Sequence, residues 1–327
     1  MVISRRYHIP LALLIVGLVI IIASSCDTEN NLKPVYEDYY VKLFGEEGNQ
    51  EGVDLVVNES DQTVLLLGTS TEPSGSKRLF LVKADWAGNL IWKRKLGGTN
   101  DIAKDIEPSA DGGYILLAET RDLLAEDPTE NVKLIRITAE GEKTDSVVFG
   151  TPKLEGAEYG IEKPHSVTAM DDGYIVTGAL EYNTVEADGG LKKVSYLKLK
   201  FGLDLVWDPG FWFYNSQAEF SVGVKTFRTS DNRVYTIGSD NKDEQGNGSN
   251  YNFWYFGFDY NGGEGSGSRH NWVGVDMPGH DEILSAVCPS FGSGVFMVGV
   301  HNDPSGRSDI YTAQAAIDNG ELVRRDN

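Results

Sequence analysis

Cysteine is scarce in this chain, since only Cys26 and Cys288 occur among its 327 residues. Exported domains that depend on disulfides carry larger, even sets of cysteines, so a disulfide framework is excluded. Cys288 lies within an apolar run and is interpreted as a small hydrophobic side chain. Stability is therefore expected to come from a packed core.

Basic residues are also in deficit, because 29 Lys and Arg face 49 Asp and Glu, giving a net charge of −20. Nucleic acid is excluded as a partner, since its phosphates would be repelled. Signatures of catalysis are missing as well: there is no Gly-x-Ser-x-Gly elbow, no phosphate-binding loop and no zinc-type histidine spacing. Whether the chain is an enzyme stays open, with a non-enzyme that needs no cofactor as the favoured prediction and Ca²⁺ as the alternative.

Only one long hydrophobic run is present, from Leu11 to Ile22, and it is shorter than the roughly 20 residues that span a bilayer. Arg5 and Arg6 precede it, so residues 1–25 are predicted to be a signal peptide. The residues before Cys26, Ile-Ala-Ser-Ser, resemble the lipobox of bacterial lipoproteins. That resemblance implies cleavage before Cys26, lipidation of its sulfur and an outer-membrane lipoprotein, periplasmic or surface-exposed. Residues 26–35 would be the lipidated cysteine and a tether.

Glycine is abundant, with 37 copies, and it marks an internal repeat. A turn followed by a mostly apolar run and a small residue recurs at Asp61–Gly68, Asp111–Ala118, Asp171–Gly178, Asp231–Gly238 and Gly292–Gly299. A second marker, a turn glycine, recurs at Gly88, Gly141, Gly202, Gly262 and Gly320. Both markers advance by 50 to 61 residues per copy, which indicates five repeats.

Each repeat contains four short apolar runs separated by turns, and in the first copy these are 53–57, 64–67, 79–83 and 90–96. Four-stranded units repeated at this length are typical of propeller blades. The sequence therefore predicts an all-β fold in which residues 36–327 form a single β-propeller of five blades. Six blades are the alternative. Tyr39–Gly45 is similar to the last strand of a repeat and is predicted to close the ring as an N-terminal strand.

The strings DGGYILLAE at 111–119 and GNLIW at 88–92 resemble the blade repeats of propeller-containing surface lipoproteins of Bacteroidetes-type bacteria. They are more distantly similar to the repeats of quinoprotein dehydrogenases. Five copies instead of eight, and a repeat tryptophan kept only at Trp92 and Trp207, depart from the quinoprotein pattern. The resemblance implies a propeller, but its motifs specify packing rather than chemistry.

One carboxylate precedes the first turn of every repeat, and these are Glu51, Asp101, Glu158, Glu219 and Glu282. First strands of blades line the central channel of a propeller, so the five acids are candidates for a Ca²⁺-binding ring at its mouth. The alternative is that each acid accepts hydrogen bonds from backbone amides of a neighbouring blade.

Aromatic residues are dense in the third and fourth repeats. Exposed rings could form a platform for sugars, and the candidates are Trp207, Trp212, Tyr214 and Trp254. The alternative interpretation is core between blades. His165 and Glu158 fall in the repeat with the longest first hairpin, so His165 is added as a candidate ligand-binding residue.

Together these features predict a monomeric, membrane-anchored envelope lipoprotein whose propeller binds a glycan or protein without catalysis. The alternative is a glycan hydrolase or lyase that uses carboxylates at the channel mouth. A carboxylate pair roughly 5 to 10 Å apart, with one raised pKa, would favour the enzyme.

Overall fold

The computed structural model describes residues 41–121, 130–150, 160–183, 192–213, 220–229, 233–242, 248–259, 268–271, 281–290, 294–318 and 321–324. Across these ranges the chain forms strands and turns without any helix, so no described helix could cross a membrane. Residues 1–40, with Cys26 and the predicted signal peptide, lie outside the described residues.

Twenty strands form five antiparallel sheets of four strands, and chain order and sheet order agree in each. Blade 1 contains β1 (Asn49–Asn58), β2 (Thr63–Thr71), β3 (Lys77–Asp85) and β4 (Leu90–Leu96), and blade 2 contains β5 (Ile102–Pro108), β6 (Tyr114–Arg121), β7 (Glu130–Ile137) and β8 (Lys143–Phe149). Blade 3 contains β9 (Ile161–Met170), β10 (Gly173–Asn183), β11 (Lys192–Gly202) and β12 (Trp207–Phe213). Blade 4 contains β13 (Ser221–Arg228), β14 (Arg233–Lys242), β15 (Gly248–Asp259) and β16 (Ser268–Asn271), and blade 5 contains β17 (Asp281–Ser290), β18 (Gly294–Asn302), β19 (Ser308–Asp318) and β20 (Glu321–Arg324).

Consecutive blades pack in a constant manner. The first strand of each later blade lies against the first three strands of the blade before it: β5 on β1 to β3, β9 on β5 to β7, β13 on β9 to β11, and β17 on β13 to β15. This arrangement is a ring of five blades, a five-bladed β-propeller. The fold class and the blade count predicted from the repeat are therefore confirmed.

Apolar side chains from neighbouring blades meet in the interfaces. Leu67 and Leu81 of blade 1 cluster with Ile106 and Leu116 of blade 2, and Trp92 packs against the same cluster. Trp92 also lies over Gly141, where an added Cβ would approach the indole ring to 2.6 Å. Gly141 has a φ of +79°, which glycine adopts at little cost. The repeat marker of the sequence is therefore a packing position between blades.

Blade 1 differs from the others at its first strand. Val53, Leu55 and Val57 on β1 are 41 to 53% exposed, whereas the first strands of blades 2 to 4 are largely buried. The N-terminal strand predicted to close the ring is not found in the described part of its segment, because residues 41–46 form no strand. Tyr39 and Tyr40 lie outside the described residues.

A one-residue bulge interrupts every first strand at the same place. The bulged residues are Val53, Lys104, His165, Val224 and Ser285, and each lies beside the small residue that ends the repeat marker on the second strand. At Gly178 and Gly238 an added Cβ would overlap the carbonyl oxygens of Lys163 and Val222. Bulges re-aim side chains, so each blade presents one additional residue.

Candidate functional site

A cavity of about 510 Å³ is lined by residues of blades 2 to 5. Four of the five bulged residues contribute to it: Lys104, His165, Val224 and Ser285. This volume falls within the roughly 300 to 1,000 Å³ of small-molecule sites. The repeated bulge is thus what directs side chains of four different blades into one concave space.

One wall of the cavity carries charge. Lys104 Nζ lies 2.8 Å from Glu119 Oε2, and Lys163 Nζ lies 3.6 Å from Glu181 Oε1. The lysine side chains are 27% and 40% exposed, while the two glutamates are more buried. The ammonium groups therefore remain accessible, although each has a carboxylate partner.

His165 lies between these charges and is exposed to the cavity. The pKa of His165 is lowered, first because the surrounding protein displaces bulk water and then because Lys104 is positively charged. A hydrogen bond with the Gly223 backbone and the charge of Glu119 act in the opposite direction. The lowered pKa favours the neutral imidazole, whose one N–H is engaged by the Gly223 backbone, so its other nitrogen is left as an acceptor.

The other wall is mostly apolar. It contains Phe220, Val222, Val224, Ile283 and Leu284. Ser239 adds a hydroxyl that already accepts the amide hydrogen of Leu284 at 2.7 Å, so its own proton stays available to a ligand. A ligand of matching character has an apolar face and polar edges.

A second polar cluster connects blades 2 and 4, which are not neighbours in the ring. Lys225 Nζ lies 2.9 Å from Asp105 Oδ2 and 2.8 Å from Glu107 Oε1. Asp105 Oδ2 also accepts the amide hydrogen of Val167 in blade 3, at 2.8 Å. Asp54 Oδ2 makes the corresponding bond one blade earlier, accepting from Ile106 at 3.1 Å. We call Lys225, Asp105 and Glu107 the cross-blade triad.

The triad holds a carboxyl group that titrates near neutral pH. Burial raises the pKa of Asp105 to about 7, partly opposed by the charge of Lys225 and reinforced by Asp54. Burial would lower the pKa of Lys225, but the charges of Asp105 and Glu107 outweigh it and the pKa is raised. Asp105 is 6% exposed and its oxygens are engaged by backbone amides and Lys225, so the triad is structural rather than catalytic.

The described members of the predicted acid ring have separate roles. Asp101 is fully buried and accepts hydrogen bonds from Gly98 and Thr120. Glu282 is 3% exposed with His301 Nδ1 at 3.8 Å, and Glu51 is exposed. Glu158 and Glu219 lie outside the described residues. Within the described ranges no group of three or more His, Cys, Asp or Glu could hold a metal ion, and a complete ring stays a prediction.

Blade 3 contains a buried acid that the spacing argument missed. Glu162 is 1% exposed and pairs in register with Leu180, as Glu282 pairs with His301. It lies nine residues before Asp171, close to the ten that separate Asp101 from Asp111. A stricter use of that spacing would have selected Glu162 rather than Glu158.

Asp101→Ala tests whether these acids are structural or bind a metal. The Lys133 ammonium lies 2.5 Å from the Asp101 carboxylate and loses this partner in the variant. Removing one partner of a buried ion pair costs about 3 kcal/mol of unfolding free energy. We expect urea unfolding to show this loss equally with Ca²⁺ and with EDTA. A loss seen only in the presence of Ca²⁺ would instead support the metal ring.

The prediction that Trp254 belongs to an exposed aromatic platform is wrong. Its ring is 1% exposed and packs edge-on against Tyr196 at 5.0 Å. The middle strand β15 is covered on both faces, so Phe253 and Tyr255 enter one interface cluster while Trp254 and Phe256 enter another. Trp207 is half-buried and packs on Phe149 at 5.0 Å.

The remaining candidates divide into one placed in the cavity and others that cannot be placed. His165 lines the cavity and is the predicted ligand-binding residue found at a concave site. Trp212 belongs to β12, but its side chain is not among those described, and Tyr214 lies outside the described residues. Lys104 and Lys163, which the sequence argument did not select, join His165 there.

No protein-family model and no curated protein matches the chain. Among solved structures, an α-L-arabinanase of Penicillium chrysogenum complexed with arabinobiose is 8% identical, with a TM-score of 0.45 and 79% of each chain covered. An endo-arabinase from Bacteroides thetaiotaomicron is 13% identical, with a TM-score of 0.41, covering 83% of this chain and 95% of the other. An apocarotenoid oxygenase of Synechocystis is 12% identical, with a TM-score of 0.43. The match covers 76% of this chain and 55% of the oxygenase. Likenesses at this level carry no functional argument.

Proposed function

We propose that this protein is a lipid-anchored glycan-binding protein of the cell envelope, which receives its ligand in the cavity lined by blades 2 to 5. The observation that carries the proposal is the convergence of four bulged residues on one cavity of about 510 Å³. A concave space of this size suits a small ligand or a chain end better than a protein surface. Its combination of an apolar wall with Lys104, His165 and Ser239 matches a sugar ring, which has both kinds of surface.

Binding without catalysis is favoured by the state of the nearby carboxylates. Among the described lining residues, the carboxylate is Glu181, which faces Lys163. Glu119 is ion-paired to Lys104. The carboxyl group with a raised pKa, Asp105, is engaged in the cross-blade triad. A glycosidase needs two carboxyl groups facing one bond, whereas the described lining of the cavity contains one.

Filling the cavity is the direct test. On a glycan array probed with the full chain in detergent, Val224→Trp should weaken every positive signal at least about tenfold by occupying the space of the ligand. The matched control is Val53→Trp, at the bulge of blade 1, which is 41% exposed and does not line the cavity. Equal binding by both variants would contradict the cavity as the site, and an array without any signal would contradict glycan binding.

The anchor is tested separately at Cys26. Several acyl chains hold a protein on a membrane firmly, whereas none do so after Cys26→Ala. We expect the unchanged protein to fractionate with membranes and to incorporate labelled palmitate, and the variant to do neither. Membrane recovery of Cys26→Ala without label would indicate that the apolar run itself is the anchor.

A further inference from the structure

The charged wall of the cavity contains two positively charged side chains, although the whole molecule is negatively charged. The chain has a net charge of −20, yet two lysines reach this one concave surface from adjacent blades. Lys104 is the bulged residue of β5, and Lys163 lies two residues before the bulge of β9. The bulge therefore places Lys104, and Lys163 reaches the cavity from the regularly paired part of the next first strand.

The acidic partners of the lysines are arranged unequally. Lys104 and Glu119 are in close contact at 2.8 Å. Lys163 and Glu181 are separated by 3.6 Å, and the Lys163 side chain is 40% exposed. The Lys163 ammonium can therefore turn toward a ligand at small cost, since an exposed ion pair contributes about 1 kcal/mol or less.

His165 lies close to both lysines. Burial is the largest cause of its lowered pKa, and the charges of Lys104 and Lys163 act in the same direction, against the charge of Glu119. The lysine side chains are also more exposed than the side chains of their glutamate partners. Negative charge on a ligand is favoured at this wall.

We propose that the cavity selects an acidic glycan, with the carboxylate of a hexuronic acid held by Lys104 and Lys163. The pyranose ring then lies on Val222 and Val224, and its hydroxyl groups reach His165 and Ser239. This inference rests on the proposed glycan-binding function and names its ligand class. Neutral sugars offer the two ammonium groups only uncharged oxygens as acceptors, so they bind more weakly.

Isothermal titration of the full chain in detergent tests the inference with two probes, trigalacturonic acid and neutral galactotriose. The acid should bind at least about tenfold more tightly at low salt, and the difference should shrink as salt screens the charges. Lys104→Met and Lys163→Met should each reduce this preference about tenfold, as expected for charge-assisted bonds. The matched control is Lys93→Met in blade 1, which removes an ion pair with Glu46 at a residue that does not line the cavity. It should leave both affinities unchanged.

Glu181→Gln is a variant expected to bind more tightly, which loss of folding could not produce. It removes the competing carboxylate beside Lys163, so binding of trigalacturonic acid should become several-fold tighter. If both probes bind equally in a manner blocked by Val224→Trp, the acidic selectivity is overturned while glycan binding stands. If neither probe binds, this inference fails, and the glycan array decides separately whether the proposed function fails as well.

Discussion

Lys225→Met is expected to destabilise the propeller by about 3 kcal/mol at pH 8. The substitution leaves the carboxylates of Asp105 and Glu107, at 2.9 and 2.8 Å from Lys225 Nζ, without their cation. Breaking a buried pair is costly because the remaining charge stays desolvated. The lower end of the usual range applies, since the Lys225 side chain retains 20% exposure.

The loss should depend on pH in a defined direction. The pKa of Asp105 is raised to about 7, above the roughly 3.9 of an unfolded aspartate. Folding therefore takes up a proton between about pH 4 and 7, and the contribution of Asp105 to stability falls as pH rises through that window. At pH 5 the carboxyl is neutral and needs no cation, so Lys225→Met should cost clearly less than at pH 8.

Chemical unfolding at both pH values measures this effect. The control is the double variant Lys225→Met with Asp105→Asn, which lacks both charges and should be more stable at pH 8 than Lys225→Met alone. A deficit of equal size at pH 5 and pH 8 would show that Asp105 does not titrate in this range.

Gly238→Ala should be comparably severe, costing about 3 kcal/mol or preventing folding. An added Cβ would overlap the carbonyl oxygen of Val222 beside the bulge of β13 and would lie 2.9 Å from the Trp254 ring. Neither neighbour can move easily, because one is backbone and the other is a fully buried ring. Thermal melts followed by circular dichroism would detect the loss.

Blade 2 provides the matched control for that substitution. The equivalent position on β6 is Ala118, which is fully buried, so Ala118→Gly removes a methyl group instead of adding one. Its expected cost is about 1 kcal/mol, from the lost methyl burial and the greater freedom of the unfolded glycine. Similar small losses for both variants would mean that the bulge places no demand on the size of its neighbour.

The blades could be predicted from the sequence because their signals are local. Turn residues and alternating apolar runs recur at nearly constant spacing, and strand pairing in a meander follows from such local order. The bulge could not be predicted, because one extra residue in an alternating strand leaves no compositional mark. Lys104 was therefore not recognised as a cavity residue, whereas Glu162 could have been found by a stricter use of the spacing.

A different limit explains the error at Trp254. The sequence left open whether this ring is exposed or is core between blades, and a middle strand of a blade is covered on both sides by neighbouring blades. Sidedness is a property of the assembled ring, whereas hydrophobic pattern is a property of the strand. Exposed platforms cannot be read from aromatic density in such a fold.

The five bulged residues also bear on how the binding specificity of this protein can evolve. Each is an extra residue with regular strand pairing on either side, and Val224 is the one that also packs against a core cluster. Val53, Lys104, His165, Val224 and Ser285 already differ in size, polarity and charge. Diversifying the four that line the cavity, Lys104, His165, Val224 and Ser285, would create a library of binding specificities on one scaffold.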